Sequence, residues 1–179
     1  MPKVRLFIGM TMDGFIADKS GGLGWMKPFE SVDYGFEEFS KEIGVLLCGK
    51  NTYQLMLDKG WGWSFPQPGI IVSDEQMKQA DGADLTFMGG DIADIVDAAK
   101  QRTTDKDVWL VGGAKVVQDC LRANLVDELT LCIIPVLLGD GIRLFGPLDA
   151  QANLDLQNVI QYDKGLLRVT YKVKSHASA

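Results

Sequence analysis

Apolar residues in this chain gather into short runs, and between several of those runs they recur at helical spacing. Val4 to Met10 is apolar enough for a buried strand, and Thr11-Met12-Asp13-Gly14 breaks it before the short extended piece Phe15-Ile16-Ala17. The glycines between Gly21 and Gly24 make a flexible loop. Ser31 then offers an N-cap for a helix through about Ile43, with Phe36, Phe39 and Ile43 on one face and Gly35 weakening it. Val45 to Cys48 is a second buried strand ending at Gly49, and Thr52 to Leu57 has the length of a short helix. Gly69 to Ser73, Asp84 to Met88 and Val108 to Val111 read as three more strands. Ile92, Ile95, Val96 and Ala99 repeat at helical spacing between the last two, and Val116, Val117, Cys120 and Leu121 do so after Gly112-Gly113.

Strands alternating with helices predict a mostly parallel sheet covered on both faces. The pattern changes after Leu129. Leu129 to Pro135, Leu154 to Tyr162 and Leu166 to Lys174 are strand-like with only loops between them, and Asp163-Lys164-Gly165 signals a hairpin turn. An antiparallel edge therefore completes a mixed α/β sheet. The expected organisation is one domain over residues 1–174 with a polar tail at 175–179.

Composition removes several function classes. A length of 179 residues with 46% apolar and 23% charged side chains suits one folded domain. A formal charge of −6 without a Lys/Arg run opposes binding to nucleic acid. No apolar stretch approaches the roughly 20 residues that span a bilayer, and the expected location is cytoplasmic. Cys48, Cys120 and Cys132 lie far apart in apolar surroundings, as buried reduced thiols do. The single histidine, His176, sits in the tail, so catalysis built on histidine is not expected.

Three segments offer chemistry. In Val108 to Val117 a strand runs through Gly112-Gly113 into a helix, where close backbone approach and unpaired N–H groups suit a pyrophosphate; a tight ligand-free turn is the alternative. The full G-x-G-x-x-G fingerprint is absent. Gly49-Lys50-Asn51-Thr52-Tyr53 repeats the strand–glycine–helix arrangement and adds a hydroxyl and a positive charge, although a plain glycine turn and helix cap would look the same. In Met10 to Ala17, followed by Trp25, Asp13 beside Gly14 either shapes a turn or borders a site.

Taken in order, Thr-Met-Asp-Gly-Phe-Ile-Ala, Gly-Lys-Asn-Thr-Tyr and Val-Gly-Gly-Ala-Lys resemble the dihydrofolate reductase-like superfamily. Leu125-Val126-Asp127-Glu128-Leu129 and Ile134-Pro135-Val136-Leu137-Leu138-Gly139-Asp140-Gly141 resemble the reductase domain of bacterial riboflavin-biosynthesis deaminase-reductases. The zinc deaminase signature is absent, so the resemblance is to the reductase part alone. It implies a three-layer α/β/α fold and NADPH as cofactor. It places Ile8, Gly9 and Ile16 beside the nicotinamide, and Gly49, Lys50, Thr52 and Tyr53 at the cofactor phosphates. Val111, Gly112, Gly113, Ala114, Lys115 and Val116 fall at the pyrophosphate, and Ser73 at the adenosine ribose phosphate. Lys50 stands where the motif has arginine, keeping charge but losing a bidentate fork, and Asp74 next to Ser73 would repel a 2′-phosphate unless turned away.

The resemblance also calls for an acid near the substrate. Glu30, Asp33, Glu37 and Glu38 are all near, and Asp33 is chosen. Trp25 and Phe29 are candidates for a substrate-facing aromatic wall, with core packing as their alternative. The expected activity is NADPH-dependent hydride transfer to a small planar heterocycle of pteridine or pyrimidine type; a non-catalytic dinucleotide-binding protein on the same fold is the second reading. A homodimer is implied, with Leu131 to Leu138 as candidate interface or, alternatively, as buried sheet.

Overall fold

The computed structural model describes residues 1–149 and 151–174, so the expected tail at 175–179 lies outside the described residues. Strands β1 (Val4–Thr11), β3 (Ile43–Gly49), β4 (Gly69–Val72), β5 (Leu85–Met88), β6 (Asp107–Gly112), β7 (Glu128–Ile134), β9 (Leu154–Gln161) and β10 (Leu167–Val173) form one sheet. Its order is β5-β4-β3-β6-β1-β7-β10-β9. All pairs from β5 through β7 are parallel, and β10 runs antiparallel to both β7 and β9. Two short strands, β2 (Phe15–Ala17) and β8 (Ile142–Arg143), pair separately. The helices are α1 (Phe36–Lys41), α2 (Lys50–Asp58), α3 (Ile92–Gln101) and α4 (Ala114–Arg122), with a 3-10 turn over Gly24–Phe29.

The period of two along each strand sorts side chains between unlike faces. One face buries Val4, Leu6, Val45, Leu47, Val108 and Leu110 against Ile95, Val96 and Ala99 of α3 and Val116, Val117, Cys120 and Leu121 of α4. The other carries Phe7, Trp109, Cys132 and Ile134 beneath Phe36 and Phe39 of α1, with Cys48 and Ile71 packing on Tyr53 of α2. The result is the expected three-layer α/β/α arrangement. Fully buried side chains such as Leu6, Leu47 and Leu110 each contribute about 1.5–3 kcal/mol through removal from water.

Two expectations are corrected. The helix predicted from Ser31 to Ile43 spans only Phe36–Lys41, because Gly35 sits at φ +82° and Ile43 already belongs to β3. The run Leu131 to Leu138 is not uniform: Leu131, Cys132 and Ile134 of β7, held between β1 and β10, are buried in the sheet, while Leu137 beyond the strand is 76% exposed. A row of exposed apolar side chains also lies on the outer strand β9. An extra residue, Gln157, shifts its register against β10, so that Leu154, Leu156 and Val159 face Val173, Tyr171 and Val169. The three β9 residues are 41%, 58% and 51% exposed.

Candidate functional site

A cavity of about 1400 Å³ opens along the carboxyl ends of β1, β3, β4 and β6, the usual ligand position in an open α/β sheet. It exceeds the roughly 300–1,000 Å³ that holds a drug-sized ligand, leaving room for a dinucleotide and a second, smaller molecule.

Two helices begin in its wall. α2 starts from Gly49 and α4 from Gly113; neither has a capping side chain or an acid in its first turn. Their first N–H groups therefore keep their hydrogen-bonding capacity, and the positive end of each helix dipole meets the cavity. The two starts also touch. A methyl group on Gly49 would lie 2.9 Å from Val116 Cγ2, 3.3 Å from Gly113 N and 3.4 Å from Gly112 O, and one on Gly113 would lie 2.8 Å from Thr52 Oγ1. Gly112, at φ +114°, is joined to Gly113 by a cis peptide bond.

Charge in the wall is mixed. Lys115 is paired with Asp119 at 2.6 Å and Lys19 with Asp140 at 2.5 Å, while Arg143 lies over the Phe15 ring, 4.6 Å from its centre. Lys50 is exposed and makes no ion pair among the described residues. These cations, with two uncapped helix starts and closely packed glycines, fit an anionic dinucleotide lying across the strand ends.

The other end of the cavity is aromatic. Phe7, Tyr34, Phe36, Phe65 and Trp109 all line it; Trp109 meets Phe36 and Phe65 at 5.1 and 5.3 Å between ring centres, and Tyr34 stacks on Phe7 at 6.1 Å. Tyr34 is the ionisable side chain of this group. Burial pushes its phenol pKa up, with Cys132 and Asp33 adding to the shift, so it stays protonated and able to donate.

A turn before β2 braces the rim. Asp13 accepts hydrogen bonds from the Thr11 hydroxyl at 2.6 Å, Leu138 N at 3.1 Å and Gly139 N at 2.7 Å. The Thr11 bond, followed by those two amides, lowers the Asp13 pKa to about 2.

The family model for the RibD C-terminal domain matches residues 2–168. The chain belongs to this family. It is 28% identical over 187 residues to the uncharacterized protein YyaP of Bacillus subtilis (strain 168), covering 94% of each chain. The crystal structure of a candidate riboflavin biosynthesis protein from Shewanella sp. PV-4 matches with a TM-score of 0.85 at 26% identity, over 96% of this chain and 99% of that one. Dihydrofolate reductase from Enterococcus faecalis, complexed with NADP(H) and RAB-propyl, shares the fold at a TM-score of 0.58 and 18% identity, over 96% and 94% of the two chains.

Within this RibD C-terminal-type fold, most residues expected at the cofactor do meet at the cavity. Ile8, Gly9, Ile16, Gly49, Lys50, Thr52, Ser73, Val111, Gly113, Ala114, Lys115 and Val116 line it, and Gly112 is the buried strand residue leading into Gly113. Ser73 takes a different part from the one expected. Its hydroxyl donates to Glu75 O at 2.7 Å and accepts from Glu75 N at 3.1 Å, which leaves no proton for a phosphate. Tyr53 is corrected outright: it is fully buried beneath the sheet, its hydroxyl bonded to Lys78 O and Ala80 N. Helical rotation of about 100° per residue turns it from the cavity while Thr52 faces it.

The substrate-side expectations are corrected too. Asp33 lies outside the cavity, beside Ser31, Tyr162 and Asp163 on another surface, and its carboxylate accepts from Gly35 N at 2.9 Å. Trp25 and Phe29 pack on the aromatic core cluster and do not line the cavity; Met26 between them does. Sequence reasoning missed Phe7, Tyr34, Phe36, Phe65 and Trp109 as cavity residues. Phe7 and Trp109 had a signal, each being an aromatic that alternates with aliphatic residues along a strand.

Proposed function

We propose that this protein is a reductase that takes hydride from a reduced nicotinamide dinucleotide, with NADPH the donor implied by the resemblance, and delivers it to a small planar heterocycle of pteridine or pyrimidine type. The observation that carries this reading is the joining of two uncapped glycine helix starts and an aromatic-walled compartment in one cavity. The complex of the E. faecalis enzyme with NADP(H) supports the choice of cofactor. When bound, the dinucleotide supplies the hydride.

The protein's part is mainly placement. Lys50, Thr52 and the first amides of α2 and α4 hold the phosphates, while Ile8, Gly9 and Ile16 flank the reacting ring. Phe7, Phe36, Phe65 and Trp109 offer flat apolar contact to a heterocycle and exclude water. In this reading Tyr34 hydrogen-bonds a ring heteroatom, donates the proton that accompanies hydride delivery and is reprotonated from solvent, in place of the acid expected at Asp33.

The second reading, a dinucleotide-binding protein without catalysis, draws on Asp33, the acid expected at the substrate, lying outside the cavity. Oxidation of NADPH and NADH against a panel of pteridines and pyrimidines tests both readings. Turnover that falls at least tenfold in Tyr34→Phe, with dinucleotide affinity unchanged, supports the reductase; saturable dinucleotide binding without turnover favours the second reading; absence of binding removes both.

We also propose a homodimer, formed through the apolar row Leu154, Leu156 and Val159 of β9. Light scattering on the intact protein and on Leu156→Lys checks it, and a wild-type monomer at micromolar concentration rules it out.

A further inference from the structure

The strand–helix–strand unit β3–α2–β4 places a carboxylate in the cavity wall. Gly49 pairs with Val72, and Asp74 follows two residues later, lining the cavity with Ser73, Gly89 and Gly90. In nucleotide-binding units of this kind the end of the second strand meets the adenine ribose, where an acid bonds the free 2′-hydroxyl and a cation serves a 2′-phosphate.

The local packing accommodates Asp74. A methyl group on Gly89 would lie 2.1 Å from Asp74 Oδ1 and 2.8 Å from its Cα, so the side chain rests over a residue that must lack a Cβ. Asp74 is exposed, and among the described residues no ion pair offsets its charge. Ser73 has already committed its hydroxyl proton to Glu75 O. Lys50, at the start of α2, lines the cavity without an ion pair among the described residues, and Asp58, at the far end of the same helix, accepts a hydrogen bond from Gln54. Asp74 therefore sets a carboxylate in the cavity wall just past the end of β4, an unfavourable neighbour for the −1.5 to −2 charge, approximately, of a phosphate monoester.

We infer that Asp74 sets the dinucleotide preference of this cavity: it accepts a hydrogen bond from the 2′-hydroxyl of an unphosphorylated adenine ribose and repels a 2′-phosphate, so that NADH binds more tightly than NADPH. This rests on the dinucleotide reading above and refines its choice of donor. Asp74 acts here through binding and takes no part in hydride transfer.

Titrations of tryptophan fluorescence with NADH and with NADPH test it on the wild-type protein, Asp74→Asn and Asp74→Ser, each first checked for an unchanged thermal melt. The wild type is expected to bind NADH about tenfold more tightly than NADPH, and both variants to tighten NADPH about tenfold, the scale of one like-charge contact removed, while NADH stays level or weakens. Two variants of different size separate loss of charge from local misfit. Tighter NADPH binding by the wild type overturns the inference and leaves the reductase reading standing, as does an equal effect of the substitutions on both dinucleotides. Failure of both dinucleotides to bind overturns the reading itself and the inference with it.

Discussion

The helix starts of this protein are built in two ways. α3 is closed by its own chain: Asp91 at the N-cap accepts from Ala93 N at 2.7 Å, and Asp94 adds a second acid to the first turn. α2 and α4 begin at glycines, with neither a cap nor an acid. α3 gains its cap for stability, whereas α2 and α4 leave part of theirs unrealised and open their amides into the cavity. Where a helix starts so barely at the carboxyl end of a parallel sheet, the missing cap is a feature of the site.

That contrast can be broken from either side. The largest effect is expected from Gly49→Val, since even a methyl group there would press on Val116 and on the Gly112–Gly113 peptide. Dinucleotide binding should fall more than tenfold and stability by roughly 1–3 kcal/mol, read by fluorescence titration and urea unfolding. Asn51→Asp puts an acid into the bare first turn of α2. It should weaken dinucleotide binding several-fold while raising stability by roughly 0.3–1 kcal/mol; a variant that loses stability and keeps its affinity would contradict the comparison.

The reverse test is Asp91→Ala at α3, expected to cost roughly 1 kcal/mol of stability with no change in dinucleotide affinity. The smallest effect at neutral pH concerns Asp13, which, like Asp91, answers backbone N–H groups with a carboxylate. Its folded pKa of about 2 lies below the ordinary value of about 3.9. Its contribution is therefore complete above that ordinary value and is lost as pH falls through about 2. The amide resonances of Leu138 and Gly139 should stay constant from neutral pH down to about pH 4 and move below it. In Asp13→Asn their shifts should lack this acid-linked step.

How far the sequence foretold this depended on the kind of signal. Strands such as Val45 to Cys48, buried on both faces, announce themselves by composition, and the glycines before α2 and α4 mark the turns into those helices. Helix α1 was misjudged because apolar spacing at Phe36, Phe39 and Ile43 continues past a helix that Gly35 starts late and β3 cuts short. Asp33 was misplaced with it. Phe7, the neighbours Tyr34 and Phe36, Phe65 and Trp109 lie on four segments far apart in sequence and meet only through the sheet order, which no local period encodes. The β9 register depends on a single extra residue, Gln157, and burial decides the fate of the Leu131 run only once β7 is placed inside the sheet.

The central position of β1 bears on how the protein is made. Val4 aligns with Val108 of β6 and Leu6 with Leu129 of β7, so the ribosome produces β1 long before either neighbour. At roughly 5–20 residues per second, that interval is on the order of ten seconds. During it the nascent strand Val-Arg-Leu-Phe-Ile-Gly-Met-Thr has neither of its final neighbours, so the middle of the sheet can close only after most of the polypeptide has been made.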